Sequence, residues 1–439
     1  MAGEDTTIHI VAVGQVGRPA SIFCVPDPRR RDDQGTLFNH IAALINPYFE
    51  SCLRAATYPQ LWVTSSAAAT HIDVLADRLR YNRHDEILKR LGDNLTYLTT
   101  RFRHEGQLSL LAATQALSMH WATGQDSGED EHLLALLTWI NPPEGRPLLD
   151  VVAEAEAVPM GVNTDPEFDS GVLAPLVDRY NALVERKASA TELASIAKKI
   201  EQNLKPVVSR IYDTIQRAIT ILVAAELPLL PDLGELERRE AEEFSSYKAY
   251  CSRGYSIPMR DRPRRAAFVL AAREDSLENY EAAVLIGDRV ARAQGRLKGD
   301  VVVGKVTKPQ RLREGLRRFT YRFNLRSQQE VLRIRIRDEL FWADDPRLRV
   351  IVTSVQRYDW GTEISLEILK GQRAVGLPRE GTLVELVKSV PDWERLGRER
   401  GHLRKRLAQT PWTHSTGTVP QVAPRRAPED QLSLVEALR

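Results

Sequence analysis

Arginine alternates with apolar residues in two adjacent runs, RFTYRFNLR over 318–326 and VLRIRIR over 331–337. Successive side chains of a β-strand point to opposite faces. Phe319, Tyr321, Phe323 and Leu325 therefore share one face of a first predicted strand, and Leu332, Ile334 and Ile336 one face of a second. Arg318, Arg322 and Arg326, then Arg333, Arg335 and Arg337, fall on the other faces. With Gln328 and Gln329 as the turn, the spacing predicts a hairpin in which Leu325 faces Leu332, Phe323 faces Ile334 and Tyr321 faces Ile336. The same register sets Arg322 opposite Arg335, and like charges placed opposite each other destabilise a sheet. An anion lying across this face would relieve the repulsion. Guanidinium forks match phosphate oxygens, and a nucleic-acid backbone presents phosphates in a row. The alternative is a solvated sheet face, neutralised by acidic residues of neighbouring strands; Asp338, Glu339, Asp344 and Asp345 are near in sequence.

The charge distribution singles out the same region. The 439-residue chain carries a formal net charge of only +2. Residues 1–250 hold 24 basic and 35 acidic residues, and residues 251–439 hold 37 and 24, so the halves are −11 and +13. Such asymmetry predicts an acidic scaffold joined to a basic binding region. A near-neutral total argues against a protein that coats nucleic acid with its whole surface. Arginine outnumbers lysine 49 to 12, a bias that a GC-rich bacterial genome produces without any functional cause. A basic helix expected at Trp393–Leu407 places Arg404, Lys405 and Arg406 where they would extend a phosphate track.

Beyond a Pro/Thr/Ser-rich stretch at 410–428 the chain ends in Gln431-Leu-Ser-Leu-Val435. This peptide resembles the bacterial sliding-clamp-binding motif Gln-Leu-Ser/Asp-Leu-Phe, with Val435 in place of the aromatic residue. The resemblance implies a docking peptide in which Gln431, Leu432 and Leu434 enter a partner's pocket. An amphipathic end-helix packed on its own chain would use the same residues.

Other motifs lack an essential member. Gly299-Asp-Val-Val-Val-Gly-Lys305 matches most of the phosphate-loop pattern, but Val306 stands where Ser or Thr must ligate magnesium, so the segment is expected to be a β-strand. Residues 62–79 resemble the strand–loop–helix motif Ia of superfamily 1 helicases, which implies a degenerate or accessory module without ATP hydrolysis; an ordinary strand–helix join has the same pattern. Arg78 with His84, and Arg101 with His104, resemble the Arg/His pairs of helical ribonucleases but lack the polar residue that follows the arginine. Glu363, Glu367 and Lys370 resemble a restriction-type nuclease strand with the wrong Glu–Lys spacing. Glu129-Asp-Glu-His132 reads as helix-start chemistry rather than a metal cluster. A two-glycine turn, Gly14 to Gly17, follows the first strand and is the one feature that invites a nucleotide site in residues 1–160. No cofactor, metal site or catalytic constellation is expected.

The elements that must carry these residues are read from periodicity. Strands are expected at Thr7–Val13, Ser21–Val25 and Gln60–Thr64, and helices from Leu37 onward, including Ile72–Tyr81, His84–Leu91, Gln107–Thr123 and Glu131–Ile140. Ser189-Ala-Thr-Glu192 is a capping box that opens a long helix with apolar residues from Ile196 to Leu222 at spacings of three and four. A further helix is expected at Glu274–Leu297. Strands then follow at Val301–Val306, Phe319–Leu325, Val331–Ile336, Leu348–Val355, Thr362–Ile368 and Leu383–Val387. The fold class is α+β and multidomain: a mostly helical domain over 1–160, a helical bundle or connector over 161–295, a small basic antiparallel β-barrel of OB or SH3 type over 296–390, a basic helix over 391–408, and a linker with its terminal peptide over 409–439. Three widely separated cysteines give no disulfide framework. With an acidic start and no long apolar run, the chain is expected to be cytoplasmic and not membrane-bound. Its expected role is a non-enzymatic nucleic-acid-binding accessory factor of bacterial DNA replication, repair or phage defence. The alternative is a scaffold subunit whose arginines meet an acidic protein surface.

Overall fold

The computed structural model describes residues 8–125, 132–160, 165–225, 233–258, 261, 263–314, 318–376 and 378–392. It is an α+β protein in which helices dominate the first 300 residues and a closed antiparallel barrel follows.

In the N-terminal part, β1 (Ile10–Val13) and β2 (Ser21–Cys24) form an antiparallel pair, and β3 (Leu61–Val63) lies parallel to β4 (Leu110–Ala112). Helices Arg31–Arg54, Ser66–Leu79 and Glu86–Phe102 surround a core built on Leu37, Phe49, Leu91 and Leu98. The helix Leu233–Ser252 adds Phe244 to this core, edge-on to Phe49 and tilted against Tyr97. It is fixed there by a buried ion pair, Arg101 to Glu240, whose carboxylate also accepts from the Ser109 hydroxyl at 2.8 Å. The long helix Ala190–Ala224 opens with the expected reciprocal capping box of Ser189 and Glu192 and runs on through Pro206.

Gln107–Thr123 was expected to be one helix. The structure has strand β4 there, followed by a short helix, Ala113–Ser118. The apolar run LLAA (110–113) reads equally as buried strand or buried helix, and pairing with β3 decides it.

The barrel consists of β5 (Val301–Glu314), β6 (Arg318–Ser327), β7 (Glu339–Trp342), β8 (Asp345–Tyr358), β9 (Gly361–Lys370) and β10 (Leu383–Val387). Around its circumference the strands run β10, β5, β6, β9, β8, β7 and back to β10. Phe323, Leu325, Val350, Ile364, Leu366 and Leu386 point inward and are fully buried. The phosphate-loop-like segment is the entry to β5, as expected: Gly299 has φ +82° and ends the helix Arg289–Lys298. Glu385 of β10 receives Arg296 and, at 3.2 Å, the buried Arg292, which ties that helix to the barrel wall.

The hairpin expected from the arginine runs does not form. β6 is an interior strand with β5 on one edge and β9 on the other, so neither edge is open to residues 331–337. Residues 331–335 are irregular backbone and 336–337 a turn. Alternation still operates, since Leu332 and Ile334 pack on the barrel core while Arg333 and Arg335 are exposed. This segment crosses from the entry of β5, where the Arg333 N–H donates to the Gly299 carbonyl, to β8, where the Arg337 N–H donates to Val352. Gln329, read from sequence as a turn residue, uses its side-chain amide to donate to the carbonyls of Arg296 and Val301, both at 2.9 Å, and to accept from Val303. β7 was not anticipated; it is only four residues long.

Candidate nucleic-acid interface

The outward face of four adjacent strands, β5, β6, β9 and β8, carries the polar residues that alternate with the core. On β6 these are Arg322, Asn324 and Arg326. Directly across on β9 stand Glu367, Ser365 and Glu363, and on the β5 side Gln310, Thr307 and Lys305. An irregularity between Thr307 and Gln310 throws Lys308, with φ +50°, onto the same face. A second irregularity on β8, between Val352 and Ser354, adds Thr353. Between the strands is a polar cleft of about 330 Å³, lined by Lys308, Gln310, Arg322, Asn324, Thr353, Ser354 and Ser365, with Leu366 at its floor.

The electrostatics are graded along this face. Arg322 is held by Glu367, whose Oε2 lies 2.9 Å from Nε and 2.8 Å from Nη2. Glu363 lies midway between Lys308 and Arg326, 3.9 Å from each. Among the described residues, the four cations Lys305, Lys308, Arg322 and Arg326 thus share this face with the two carboxylates Glu363 and Glu367. In the predicted register Arg322 faced Arg335; in the structure it faces Gln310 and Glu367, so the expected repulsion does not arise.

At the β8–β9 turn the face ends in aromatic side chains. The rings of Tyr358 and Trp360 stack with centroids 5.3 Å apart and planes 10° from parallel. The Arg326 guanidinium sits over Trp360, 5.0 Å from the ring centre. The Tyr358 hydroxyl donates to Gln356 at 2.6 Å, which fixes its ring on the outward face. Gly361 supplies the turn with φ +136° and packs so closely on the Ser327 carbonyl that a side chain there would overlap it. Farther out on the β5–β6 ladder, Arg311 lies 3.8 Å over the ring of Phe319, which is itself exposed.

The residues singled out by sequence divide into four groups. Arg322 and Arg326 lie on the face just described. Arg333, Arg335 and Arg337 are on the crossing segment; Arg333 is 3.6 Å from Asp300, and among the described residues Arg335 and Arg337 form no ion pair. Arg318 pairs with Glu314 in the backbone register of β5 and β6. Arg404, Lys405, Arg406, Gln431, Leu432 and Leu434 lie outside the described residues. Lys305, Lys308, Tyr358 and Trp360 were missed. The Tyr-Asp-Trp-Gly run at 358–361 was legible as a turn, and two aromatic residues in a turn are the signal that could have found them.

The alternative chemistries find little support in the geometry. The Gly14–Gly17 loop joins two antiparallel strands and is pinned by the long helix: the Gly17 N–H donates to Gln216, and the Tyr212 hydroxyl donates to the Arg18 carbonyl at 2.7 Å. His132 caps its helix, Nδ1 accepting from the Ala135 N–H while Nε2 meets the Val158 carbonyl at 3.0 Å. Arg101 is committed to Glu240. Burial raises the thiols of Cys24, Cys52 and Cys251, the first to about 12, which is the reverse of what a nucleophile needs. Among the described residues no group of three or more His, Cys, Asp and Glu side chains could hold a metal ion, and no helix is long and apolar enough to cross a membrane. Comparison with models of known families, with curated proteins and with solved structures finds no match.

Proposed function

We propose that the barrel is a nucleic-acid-binding module and that the chain acts as a non-enzymatic accessory factor in nucleic-acid metabolism. The observation that supports this most is the outward face of β5, β6, β9 and β8. There Lys308 and Arg322 line a polar cleft, Lys305 and Arg326 lie on the same face, and the four outnumber Glu363 and Glu367 beside them. Arginine presents a planar fork to a phosphate, lysine a point charge, and the amides and hydroxyls of Gln310, Asn324, Thr353 and Ser354 can bond phosphate or sugar oxygens.

Labelled single- and double-stranded DNA and RNA, titrated with the full chain at two salt concentrations, test the proposal. Micromolar or tighter binding that weakens steeply with salt is expected, because phosphate contacts release counterions. Replacing Lys308, Arg322 and Arg326 together by glutamine should weaken binding and flatten its salt slope. If that variant kept both its affinity and its slope, the assignment of this face would be wrong.

A second reading has its own support. Arg322 already holds a carboxylate at 2.8 Å, so the face could equally dock an acidic protein surface, including the −11 half of another copy. Salt-sensitive oligomers in nucleic-acid-free samples would favour it.

A further inference from the structure

We infer that the ligand of this face is single-stranded, and that one of its unpaired bases stacks on the Tyr358–Trp360 pair. The inference rests on the nucleic-acid reading of the barrel and adds the strand state and the path.

Tyr358 and Trp360 are 46% and 42% exposed, although each is large and apolar enough to be buried in a core. They belong to neither the barrel core nor its satellite cluster. They are nevertheless ordered by their stack, by the Tyr358–Gln356 hydrogen bond and by the constrained turn at Gly361. A preassembled aromatic surface of this kind loses little side-chain entropy when a flat ligand joins it.

The stack is continuous with the cationic face. Arg326 covers Trp360, Glu363 links Arg326 to Lys308, and Lys308 lines the cleft that ends at Arg322. Arg322 and Arg326 are four residues apart on one strand face, a span of about 13 Å. A chain of a few nucleotides therefore meets aromatic rings at one end and phosphate-binding cations along the rest. Duplexes withhold their base faces inside the helical stack, so only unpaired bases can use the rings. Ring stacking is tolerant of base identity, since every base has a π-face, and little sequence preference is expected.

The test is a fluorescence-anisotropy titration of the full chain with oligo-dT, oligo-rU and a duplex of equal length, at two salt concentrations. It compares wild type with Trp360→Leu, Tyr358→Leu, Trp360→Phe and the Lys308→Gln/Arg322→Gln/Arg326→Gln triple variant, each checked by circular dichroism. A single strand should bind more tightly than the duplex. Loss of one stacking ring should weaken single-strand binding by roughly 5- to 150-fold with the salt slope kept. Trp360→Phe should restore most of that loss, and the triple variant should flatten the slope. Should Trp360→Leu fail to fold, Tyr358→Leu carries the same expectation from an exposed position. Salt-sensitive binding that favours the duplex, or that ignores both ring substitutions but falls in the triple variant, overturns this inference and leaves the nucleic-acid reading standing. Absence of binding to all three probes overturns both.

Discussion

Glu367 offers a test of whether phosphate occupies the Arg322 side of the cleft. Its carboxylate already neutralises the guanidinium through two contacts at 2.8 and 2.9 Å. A phosphate on the same guanidinium would sit about 5 Å from that carboxylate. Two unit charges at that separation repel by about 0.8 kcal/mol in water and about 3 kcal/mol at an effective dielectric of 20. The Arg322 and Glu367 side chains are 46% and 25% exposed, so solvent screens them and the lower figure governs. Glu367→Gln keeps the shape and a hydrogen-bonding oxygen while removing the charge. It should therefore tighten binding of a labelled oligonucleotide about fourfold in low salt. The gain should shrink toward 1 M salt, where the screening length falls to about 3 Å. Glu363→Gln, between Lys308 and Arg326, should add a similar gain. The assay is anisotropy at 50 mM, 150 mM and 1 M salt, with far-ultraviolet circular dichroism as the folding control. Unchanged or weaker binding in Glu367→Gln would refute the reasoning, because a phosphate held by Arg322 must feel the loss of that charge.

Three further outcomes are expected elsewhere. Arg101→Ala strands the buried Glu240 carboxylate with the Ser109 hydroxyl as its remaining side-chain donor; removing one member of such a pair destabilises by about 3–5 kcal/mol. Urea unfolding followed by tryptophan fluorescence should show it, and an Arg101→Leu/Glu240→Leu double variant should lose less than the single one. The Cys24 thiol, pushed up from 9.0 to about 12 by burial, holds far less thiolate at pH 8 than an unfolded cysteine. Its alkylation by iodoacetamide should be on the order of a thousandfold slower in the folded protein than in urea, read by mass spectrometry of the Cys24 peptide; equal rates would contradict the burial. A peptide spanning 429–439 should bind a bacterial sliding clamp in a polarisation assay. Val435→Phe should tighten it by restoring an aromatic anchor and Leu434→Ala should abolish it, and a Val435→Phe peptide that does not bind would remove the clamp from consideration.

The barrel was legible because its core follows the two-residue period: Phe323 and Leu325 were placed on one face by alternation and are fully buried, and Ile364 and Leu366, Val384 and Leu386, in strands expected at 362–368 and 383–387, keep the same period and are fully buried too. The helix at Ala190 was legible because its cap is a local motif. What failed was adjacency. VLRIRIR has the alternation of a strand, but a strand needs an edge, and β9, some 30 residues further on, already occupies the one it would have used. The carboxylates that neutralise β6 are consequently Glu363 and Glu367, which were noticed in the sequence only as a defective nuclease pattern. Two of the four cations on the face, Arg322 and Arg326, were named from sequence, because arginine at alternate positions is a local signal. Lys308 was missed because a ladder irregularity, which no local pattern announces, turns it onto the face.

The order in which the barrel closes bears on how the chain is made. β10 pairs with β5 along Leu383–Val387 and with β7 at Leu386 and Val387, so one short strand seals both sides of the seam. During synthesis β5 is complete some seventy residues before its last partner exists. From the completion of β9 until β10 pairs, the nascent barrel has two open edges, at β5 and β7, each able to template pairing with another chain. A ribosome that stalls, or a protease that cuts, between Lys370 and Leu383 would release a product with both edges bare. Aggregation of such fragments, rather than gradual loss of binding, is the failure this topology dictates.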